Sequence, residues 1–279
     1  MEQRVAFQGA PGAYSDGALQ AYFGGQVATE PCRTFEEVFA ALESGRVNAA
    51  FIPIENSIAG RVADIHHLLP RSGAAIVGEH FEPIHHQLLG VPGATLADVS
   101  EVHSHVHALG QCRACIREHG FSAVVHADTA GAARDVARWG DPSKAAIASA
   151  LAGERYGLSV LAQDIEDEEH NTTRFLVLSP TEHPYPPLAT PVITSILFTL
   201  RSVPAALYKA IGGFASNGIN LTKIESYLTG EHFSVAQFYV DVEAHVESVA
   251  MEHALEELRF FSREVRILGC YPASEFRSV

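Results

Sequence analysis

Five prolines within a short stretch divide this chain into two regions with different sequence patterns. They occupy positions 180, 184, 186, 187 and 191. Because proline fixes φ and lacks a backbone N–H, the stretch cannot form a helix or a central strand, and we predict a stiff linker over residues 181–191. The length of 279 residues also exceeds what one ordinary core accommodates. The sequence therefore predicts a large N-terminal region and a smaller domain over residues 192–279.

The N-terminal region alternates short apolar strands with capped helices. A strand at 5–7 leads to a helix that Ser15 can cap, and Thr34 and Glu37 form a capping box before the next helix. Capping residues also mark three further predicted helix starts, at Ser57, Thr129 and Ser149. This pattern predicts an α/β fold whose sheets carry helices on both faces.

These helix starts also indicate where a ligand would bind. In open α/β sheets ligands lie beyond the carboxyl ends of the strands, where helix N-termini present unpaired N–H groups. Each of Ser15, Ser57, Thr129 and Ser149 taken alone is explained more simply as an N-cap. Several such junctions at one sheet edge predict an anion-binding cleft.

The region after the linker has a different order of elements. Strands are predicted near 196–200, 219–227, 233–242 and 265–271, and helices near 204–216 and 246–258. The resulting order is βαββαβ, which is the ferredoxin-like arrangement of an antiparallel sheet with two helices on one face.

Charge and composition exclude some classes of function. The net charge is −14, and no Lys/Arg cluster exists that could displace counterions from a phosphate backbone, so nucleic acid is not an expected partner. No apolar run approaches the roughly 18 residues of a membrane span, and the N-terminus leads straight into a strand. We expect a soluble, unexported, cytoplasmic protein without membrane contact.

Neither the cysteines nor the histidines form a familiar metal-binding pattern. Cys112 and Cys115 are the only close pair, and they fall within one predicted helix, so we expect reduced thiols rather than disulfides. A redox or zinc half-site at this pair is the alternative. His103, His105 and His107 would share one face of a strand, but a helix beginning near residue 106 would separate them. We expect no metal.

Residues Asn171, Thr172, Thr173, Arg174 and Phe175 are the strongest chemical signal. They set an amide, hydroxyls and a guanidinium between an acidic run and an apolar strand at 175–178. An arginine can bind a carboxylate through two parallel N–H bonds, and a neighbouring threonine can donate to a second oxygen of the same ligand. The segment predicts a site for a small carboxylate, with a turn threonine beside a surface arginine as the alternative.

Two further segments place polar groups at predicted strand ends. These are 9–15, Gly-Ala-Pro-Gly-Ala-Tyr-Ser, and 53–60, Pro-Ile-Glu-Asn-Ser-Ile-Ala-Gly. Together with the segment 104–112 and Thr-Arg-Phe at 173–175, they resemble prephenate dehydratase over nearly the whole chain. The C-terminal domain resembles the ACT regulatory domain of these enzymes through residues 220–226.

The resemblance implies a catalytic region of two α/β lobes, like a type II periplasmic binding protein. Residues 1–74 and 163–180 would form lobe one, residues 75–162 lobe two, and residues 192–279 the ACT domain. The substrate would be prephenate, which loses carbon dioxide and water to give phenylpyruvate, and no cofactor is required.

The resemblance also implies roles for individual residues. Thr173 would be catalytic, as a hydrogen-bond donor to the leaving hydroxyl, and Arg174 would bind the side-chain carboxylate. Glu55 is interpreted as structural first. The remaining residues implied to bind substrate are Tyr14, Ser15, Glu55, Asn56, Ser57, Asn171 and Phe175.

An allosteric phenylalanine site is implied in the C-terminal domain. Its residues would be Ala205, Ala206, Leu207, Asn217, Asn220, Leu221, Glu225 and Ser226. Many family members carry Glu-Ser-Arg-Pro where this chain has Tyr227 and Leu228 in the last two positions, and Gly-Ala-Leu where it has residues 205–207. Phenylalanine would bind between paired domains of a homodimer or homotetramer.

Three other functions remain open at this point. Arogenate differs from prephenate only in an amine in place of the keto group, so arogenate dehydratase is the nearest alternative. A non-catalytic amino-acid sensor would use the C-terminal domain alone. A solute-binding protein would share the two-lobed cleft but is normally exported.

Overall fold

The structure is a computed structural model that describes residues 3–25, 27–229 and 235–278. The chain divides into two compact units. The first comprises Met1–Leu69 and His80–Phe175, and the second comprises Pro70–Glu79 and Leu176–Val279. In the described part of the chain, no helix is both long enough and apolar enough to cross a bilayer.

The elements up to the proline-rich segment alternate as the sequence predicts. The strands are β1 (Arg4–Gln8), β2 (Ala28–Cys32), β3 (Ala49–Asn56), β4 (Gly60–Arg61), β5 (Ala75–Pro83), β6 (Gln87–Gly90), β7 (Glu101–Ser104), β8 (Ser122–Val125), β9 (Lys144–Ala148), β10 (Ser159–Ala162) and β11 (Thr172–Ser179). The helices are α1 (Tyr14–Phe23), α2 (Phe35–Glu43), α3 (Ala63–Leu68), α4 (Val106–Gln111), α5 (Arg113–His119), α6 (Thr129–Trp139) and α7 (Ala150–Tyr156).

Two sheets organise these elements. The first has the strand order β2-β1-β3-β11-β5, with β1 parallel to both β2 and β3, and with β4 antiparallel to β3. The second has the order β10-β6-β9-β7-β8. Strand β7 is parallel to β8 and β9, whereas β6 is antiparallel to β9 and β10. The two sheets with their helices are therefore the two α/β lobes that the resemblance implied.

Local sequence explains some helix starts and not others. Ser149 caps α7 as predicted, accepting from the Ala152 N–H at 3.1 Å. Thr129 is instead the first residue of α6, because Asp128 takes the cap and its Oδ1 accepts from the Gly131 N–H at 2.6 Å. Ser15 lies inside the first turn of α1, whose N-cap position is Ala13. The prediction of an N-cap at Ser15 and at Thr129 was wrong by one or two residues.

Two other boundaries differ from the sequence prediction. No helix begins at Ser57, because the chain turns into β4 and α3 begins only at Ala63. The single helix predicted through Cys112 is two helices, α4 and α5, since Cys112 leaves the helical region with φ −124° and ψ 31°. The thiol of Cys112 remains in the core of the second sheet.

The C-terminal domain has the predicted order of elements. It comprises β12 (Val192–Leu200), α8 (Ala206–Ser216), β13 (Leu221–Thr229), β14 (Val235–Val242), α9 (Val249–Phe261) and β15 (Ser262–Pro272). The sheet order is β13-β14-β12-β15, and every neighbouring pair is antiparallel. This confirms the βαββαβ fold. Residues 233 and 234, predicted to begin a strand, lie outside the described residues.

The second unit also holds two segments that precede this domain in the chain. The prolines prevent regular structure over 180–191, and His245 donates from Nε2 to the Pro186 carbonyl at 2.8 Å. Glu79 accepts two bonds from the Arg277 guanidinium, at 2.7 and 2.9 Å. Because the Glu79 side chain is fully buried, this pair fixes 70–79 to the end of the domain.

Candidate active site

The ends of β3 and β11 bring the predicted threonine and an amide together. Asn56 donates from Nδ2 to the Thr173 Oγ1 at 2.9 Å and to the Asn171 Oδ1 at 2.7 Å. Its Oδ1 accepts the backbone N–H groups of Ile58 and Ala59, at 3.0 and 2.8 Å. Because a backbone N–H can only donate, the orientation of the Asn56 amide is fixed. Thr173 therefore receives a hydrogen bond and keeps its own hydroxyl hydrogen to donate.

Ser57 completes the connection between these strand ends. Its hydroxyl donates to the His170 carbonyl at 2.6 Å and accepts from the Thr172 N–H at 2.9 Å. The Ser57 N–H also donates to the Thr172 carbonyl at 2.9 Å. Ser57 is exposed, and these three bonds hold the two segments side by side. The segments that sequence analysis singled out separately thus form one structure.

Arg174 and Glu55 form a partly buried ion pair beside this cluster. The Arg174 Nη1 lies 3.0 Å from the Glu55 Oε1, and the guanidinium is 5.9 Å from the centre of the Phe81 ring. The Arg174 side chain is 2% exposed and that of Glu55 is 32% exposed. Successive side chains of a strand point to opposite faces, so Arg174 and Thr173 face different sides of β11. That both side chains bind one small carboxylate stays a prediction.

The turn after β1 is held against α7 by one buried and one partly buried hydrogen bond. Ser149 donates from Oγ to the Gly12 carbonyl at 2.6 Å, and the Tyr156 hydroxyl donates to the Pro11 carbonyl at 2.7 Å. Gly12 has φ +87°, and a Cβ there would approach the Ala152 Cα to 3.0 Å. Glycine is required at this position because both the conformation and the close contact exclude a side chain. The turn places Tyr14 and Ser15 at the start of α1.

Two residues at the site were missed by sequence reasoning. His86 is 2% exposed and contacts both the Tyr14 hydroxyl, at 2.6 Å from Nδ1, and the Gln111 Oε1, at 2.8 Å from Nε2. Gln111 in turn accepts from the Asn171 Nδ2 at 3.2 Å. Gln111 belongs to the 104–112 motif and could have been chosen from it. His86 lies in the stretch Ile-His-His-Gln-Leu-Leu at 84–89, where nothing in the sequence distinguishes it from the neighbouring His85 and Gln87.

The cysteine thiols and the alternating histidine rings have separate surroundings. All four cysteines are free thiols, and burial raises the pKa of Cys112 far above its ordinary value. His103 packs against Trp139 with ring centres 4.9 Å apart, whereas the His105 ring accepts from the His107 N–H at 3.3 Å. The three histidines therefore do not converge on one point.

The residues predicted to bind phenylalanine are distributed over one cavity, the end of α8 and strand β13 with the residue before it. Ala205, Ala206 and Leu207 line a cavity of about 500 Å³ with the loop before α8. Asn217 donates to the Gly213 carbonyl at 2.8 Å, and Asn220 to the Glu243 Oε2 at 2.8 Å. Glu225 lies 3.3 Å from the Lys223 Nζ, Leu221 is partly buried, and Ser226 is exposed.

Comparisons with known proteins agree with this fold. The chain is 49% identical to a bifunctional N-acyl-homoserine lactone acylase/prephenate dehydratase of Komagataeibacter europaeus, over 99% of this chain and 98% of the relative. It is 41% identical to arogenate dehydratase/prephenate dehydratase 1 of Arabidopsis thaliana, over 96% and 72%. The structure of prephenate dehydratase from Arthrobacter aurescens in complex with L-Phe superposes with a TM-score of 0.89, at 30% identity, over 97% and 90% of the two chains.

Relatives that cover nearly the whole chain are named as dehydratases, so this protein is an enzyme of the carbon–oxygen lyase class. The prephenate dehydratase family model matches residues 5–183. This chain belongs to the prephenate dehydratase family.

Proposed function

We propose that this chain converts prephenate to phenylpyruvate, carbon dioxide and water in phenylalanine biosynthesis. The observation that carries the proposal is the fixed Asn56 amide, which leaves the Thr173 hydroxyl as a donor. Loss of the carboxylate and the ring hydroxyl together makes the ring aromatic. The dianion takes up one proton, which leaves with the hydroxyl as water.

Thr173 is the group proposed to act on the leaving hydroxyl. A threonine hydroxyl is too weak an acid to release a free proton near neutral pH, so it donates a hydrogen bond while the proton arrives from water or another group. Such a bond strengthens as charge develops on the departing oxygen, and it therefore lowers the barrier rather than the substrate's free energy. Asn56, Ser57, Ser15 and Asn171 are proposed to orient the ring and its polar groups.

The partly buried pair changes the role proposed for Arg174. Glu55 neutralises much of the guanidinium charge, which weakens direct attraction of a substrate carboxylate. We therefore assign Arg174, with Glu55, first to fixing β3 against β11 at the level of Thr173, and only second to binding the side-chain carboxylate. Phe175 stacks on Phe51 with ring centres 4.7 Å apart and supports the same strands from the core.

The direct test is formation of phenylpyruvate from prephenate by the purified chain. Parallel measurement of kcat/KM for prephenate and arogenate decides between the two substrates, because these differ only in a keto group against an amine. The proposal predicts a higher kcat/KM for prephenate. A higher value for arogenate would make this chain an arogenate dehydratase, as several relatives are named.

A second candidate activity is favoured by the identity of 49% over nearly the full length of the acylase/dehydratase relative. Its reaction adds water across the amide of an N-acyl-homoserine lactone, breaking the C–N bond to give a fatty acid and homoserine lactone. Release of homoserine lactone from a synthetic acyl derivative, followed by mass spectrometry, tests it. If Thr173→Ala abolishes dehydration and leaves this release intact, the two reactions use different groups.

Phenylalanine is the effector we propose for the C-terminal domain, which we interpret as an ACT domain. Its βαββαβ fold and the cavity at Ala205–Leu207 support the proposal, and the Arthrobacter aurescens enzyme is described in complex with L-Phe. We further propose that paired domains of a homo-oligomer complete the site.

A further inference from the structure

A continuous chain of hydrogen bonds connects the catalytic threonine to a buried histidine that no motif predicted. Each link lies within the first unit, and the chain runs from the ends of β3 and β11 to α4, to the loop before β6 and to α1. Its members, in order, are Thr173, Asn56, Asn171, Gln111, His86 and Tyr14.

The direction of this chain is set by backbone groups. The Ile58 and Ala59 N–H groups fix the Asn56 Oδ1 as an acceptor, so the Asn56 Nδ2 faces Asn171. Asn171 must then present its Oδ1 to Asn56 and its Nδ2 to Gln111. Gln111 must accordingly present its Oε1 to both Asn171 and His86.

This direction determines the tautomer of His86. The Gln111 Oε1 can only accept, so the His86 Nε2, at 2.8 Å, must carry the hydrogen. The His86 Nδ1 is then an acceptor, and the Tyr14 hydroxyl at 2.6 Å donates to it. Burial lowers the pKa of His86, against the opposing effects of the Gln111 bond and the Glu166 charge. Burial also raises the pKa of Tyr14, which keeps that hydroxyl protonated.

The orientation of the Gln111 amide determines which groups it can offer to a ligand. Because its Oε1 accepts from His86 and Asn171, its Nε2 remains with two N–H donors. No protein acceptor for these donors occurs among the residues that the structure describes, and Gln111 is only partly buried. A reversed Gln111 would present a carbonyl oxygen instead, which repels a dianionic ligand.

We propose that His86 is a positioning residue that acts through Gln111. Its Nε2–H and the Asn171 Nδ2 both donate to the Gln111 Oε1, and together they orient the Gln111 amide so that N–H donors face the anionic substrate. This inference rests on the proposed function, since it assigns Gln111 to a ligand with two carboxylates.

The first test reads the tautomer directly and requires no turnover. In ¹⁵N NMR of the full chain at pH 8, His86 should appear as the neutral Nε2–H form. Asn171→Asp replaces the amide that donates to Gln111 with a carboxylate. Gln111 should then turn its Nε2 toward residue 171 and His86, and His86 should change to the Nδ1–H form. The Tyr14 hydroxyl can then donate to the His85 carbonyl, 3.3 Å away. An Nε2–H form that persists in Asn171→Asp would overturn the proposal.

The second test uses kinetics. His86→Leu should raise KM about tenfold and change kcat less than about threefold, because a lost ground-state contact of about 1.4 kcal/mol weakens binding without altering the chemical step. His86→Gln can still donate to Gln111 and should restore most of the affinity. His126→Leu is the matched control, since His126 is a partly buried histidine of the same unit that bonds Asp135 instead.

The outcomes separate the two proposals. A normal KM in a folded His86→Leu would refute the positioning role. If the tautomer changes in Asn171→Asp while the wild-type chain fails to act on prephenate, the proposed substrate is wrong and the hydrogen-bond chain stands.

Discussion

Ala205 adopts a left-handed backbone conformation that is costly for alanine and free of strain for glycine. Its φ is +59° and its ψ +25°, at the N-cap position of α8. A left-handed conformation costs an L-residue about 1–2 kcal/mol, whereas glycine adopts it freely. Ala205→Gly should therefore raise the free energy of unfolding by up to about 1 kcal/mol, once the greater entropy of an unfolded glycine is subtracted. Urea denaturation would measure the change.

The neighbouring alanine provides the control for this substitution. Ala206 is the first residue of α8 and is buried, so Ala206→Gly should destabilise the domain by roughly 1 kcal/mol. An equal loss of stability in both variants would show that Ala205 is not strained. Alanine at position 205 departs from the family's Gly-Ala-Leu pattern. The stability that this alanine costs depends on one backbone angle, so the sequence could not reveal it.

At the scale of elements, the Glu55–Arg174 pair joins β3 to β11. Arg174→Leu should destabilise the first unit by about 1.5–3 kcal/mol, because the two-thirds-buried Glu55 carboxylate loses its charge-assisted hydrogen bond from the guanidinium. The double variant Glu55→Leu/Arg174→Leu should recover most of this loss. Thermal or urea unfolding of the three proteins would measure the coupling.

Kinetics of the same variants separates packing from substrate binding. If the double variant regains stability and also a normal KM, the pair acts by holding the strands together. A KM that stays high in a stable double variant would restore the direct carboxylate contact predicted from sequence.

Some features of these elements were predictable from the sequence and others were not. Thr34 and Ser149 cap helices as predicted because capping is a local interaction, whereas the Glu37 carboxylate accepts from the Arg33 N–H and not from the Thr34 N–H of a capping box. The order βαββαβ was likewise predictable from alternation and turn residues. His86 and the antiparallel strands of the second sheet were not, because their partners are 25 residues or more distant in the chain. Glu55 and Arg174 were found as residues, but their pairing depends on the register of β3 against β11.

At the scale of the whole molecule, the two regions are expected to communicate through an effector. We predict that L-phenylalanine binds the full chain with measurable heat in calorimetry and lowers dehydratase activity. The contacts of Asn217 and Asn220 within the domain would have to be exchanged for contacts to the ligand. Tyr227 and Leu228 replace the family's Arg-Pro, so we expect weaker binding than a chain restored to Arg-Pro would show.

The control for this prediction is D-phenylalanine, which has the same side chain and the opposite arrangement of its charged groups. Heat from both enantiomers would indicate nonspecific association. An L-phenylalanine titration with neither heat nor a change in activity would contradict regulation by this effector.

The account as a whole depends on the hydroxyl of Thr173, and steady-state kinetics of Thr173→Ala with prephenate tests it most directly. Thr173→Ser keeps the hydroxyl and serves as the control. We predict that kcat falls at least about 100-fold in Thr173→Ala with little change in KM or fold, and that Thr173→Ser retains most of the activity. Near-normal turnover by a folded Thr173→Ala protein would contradict the mechanism.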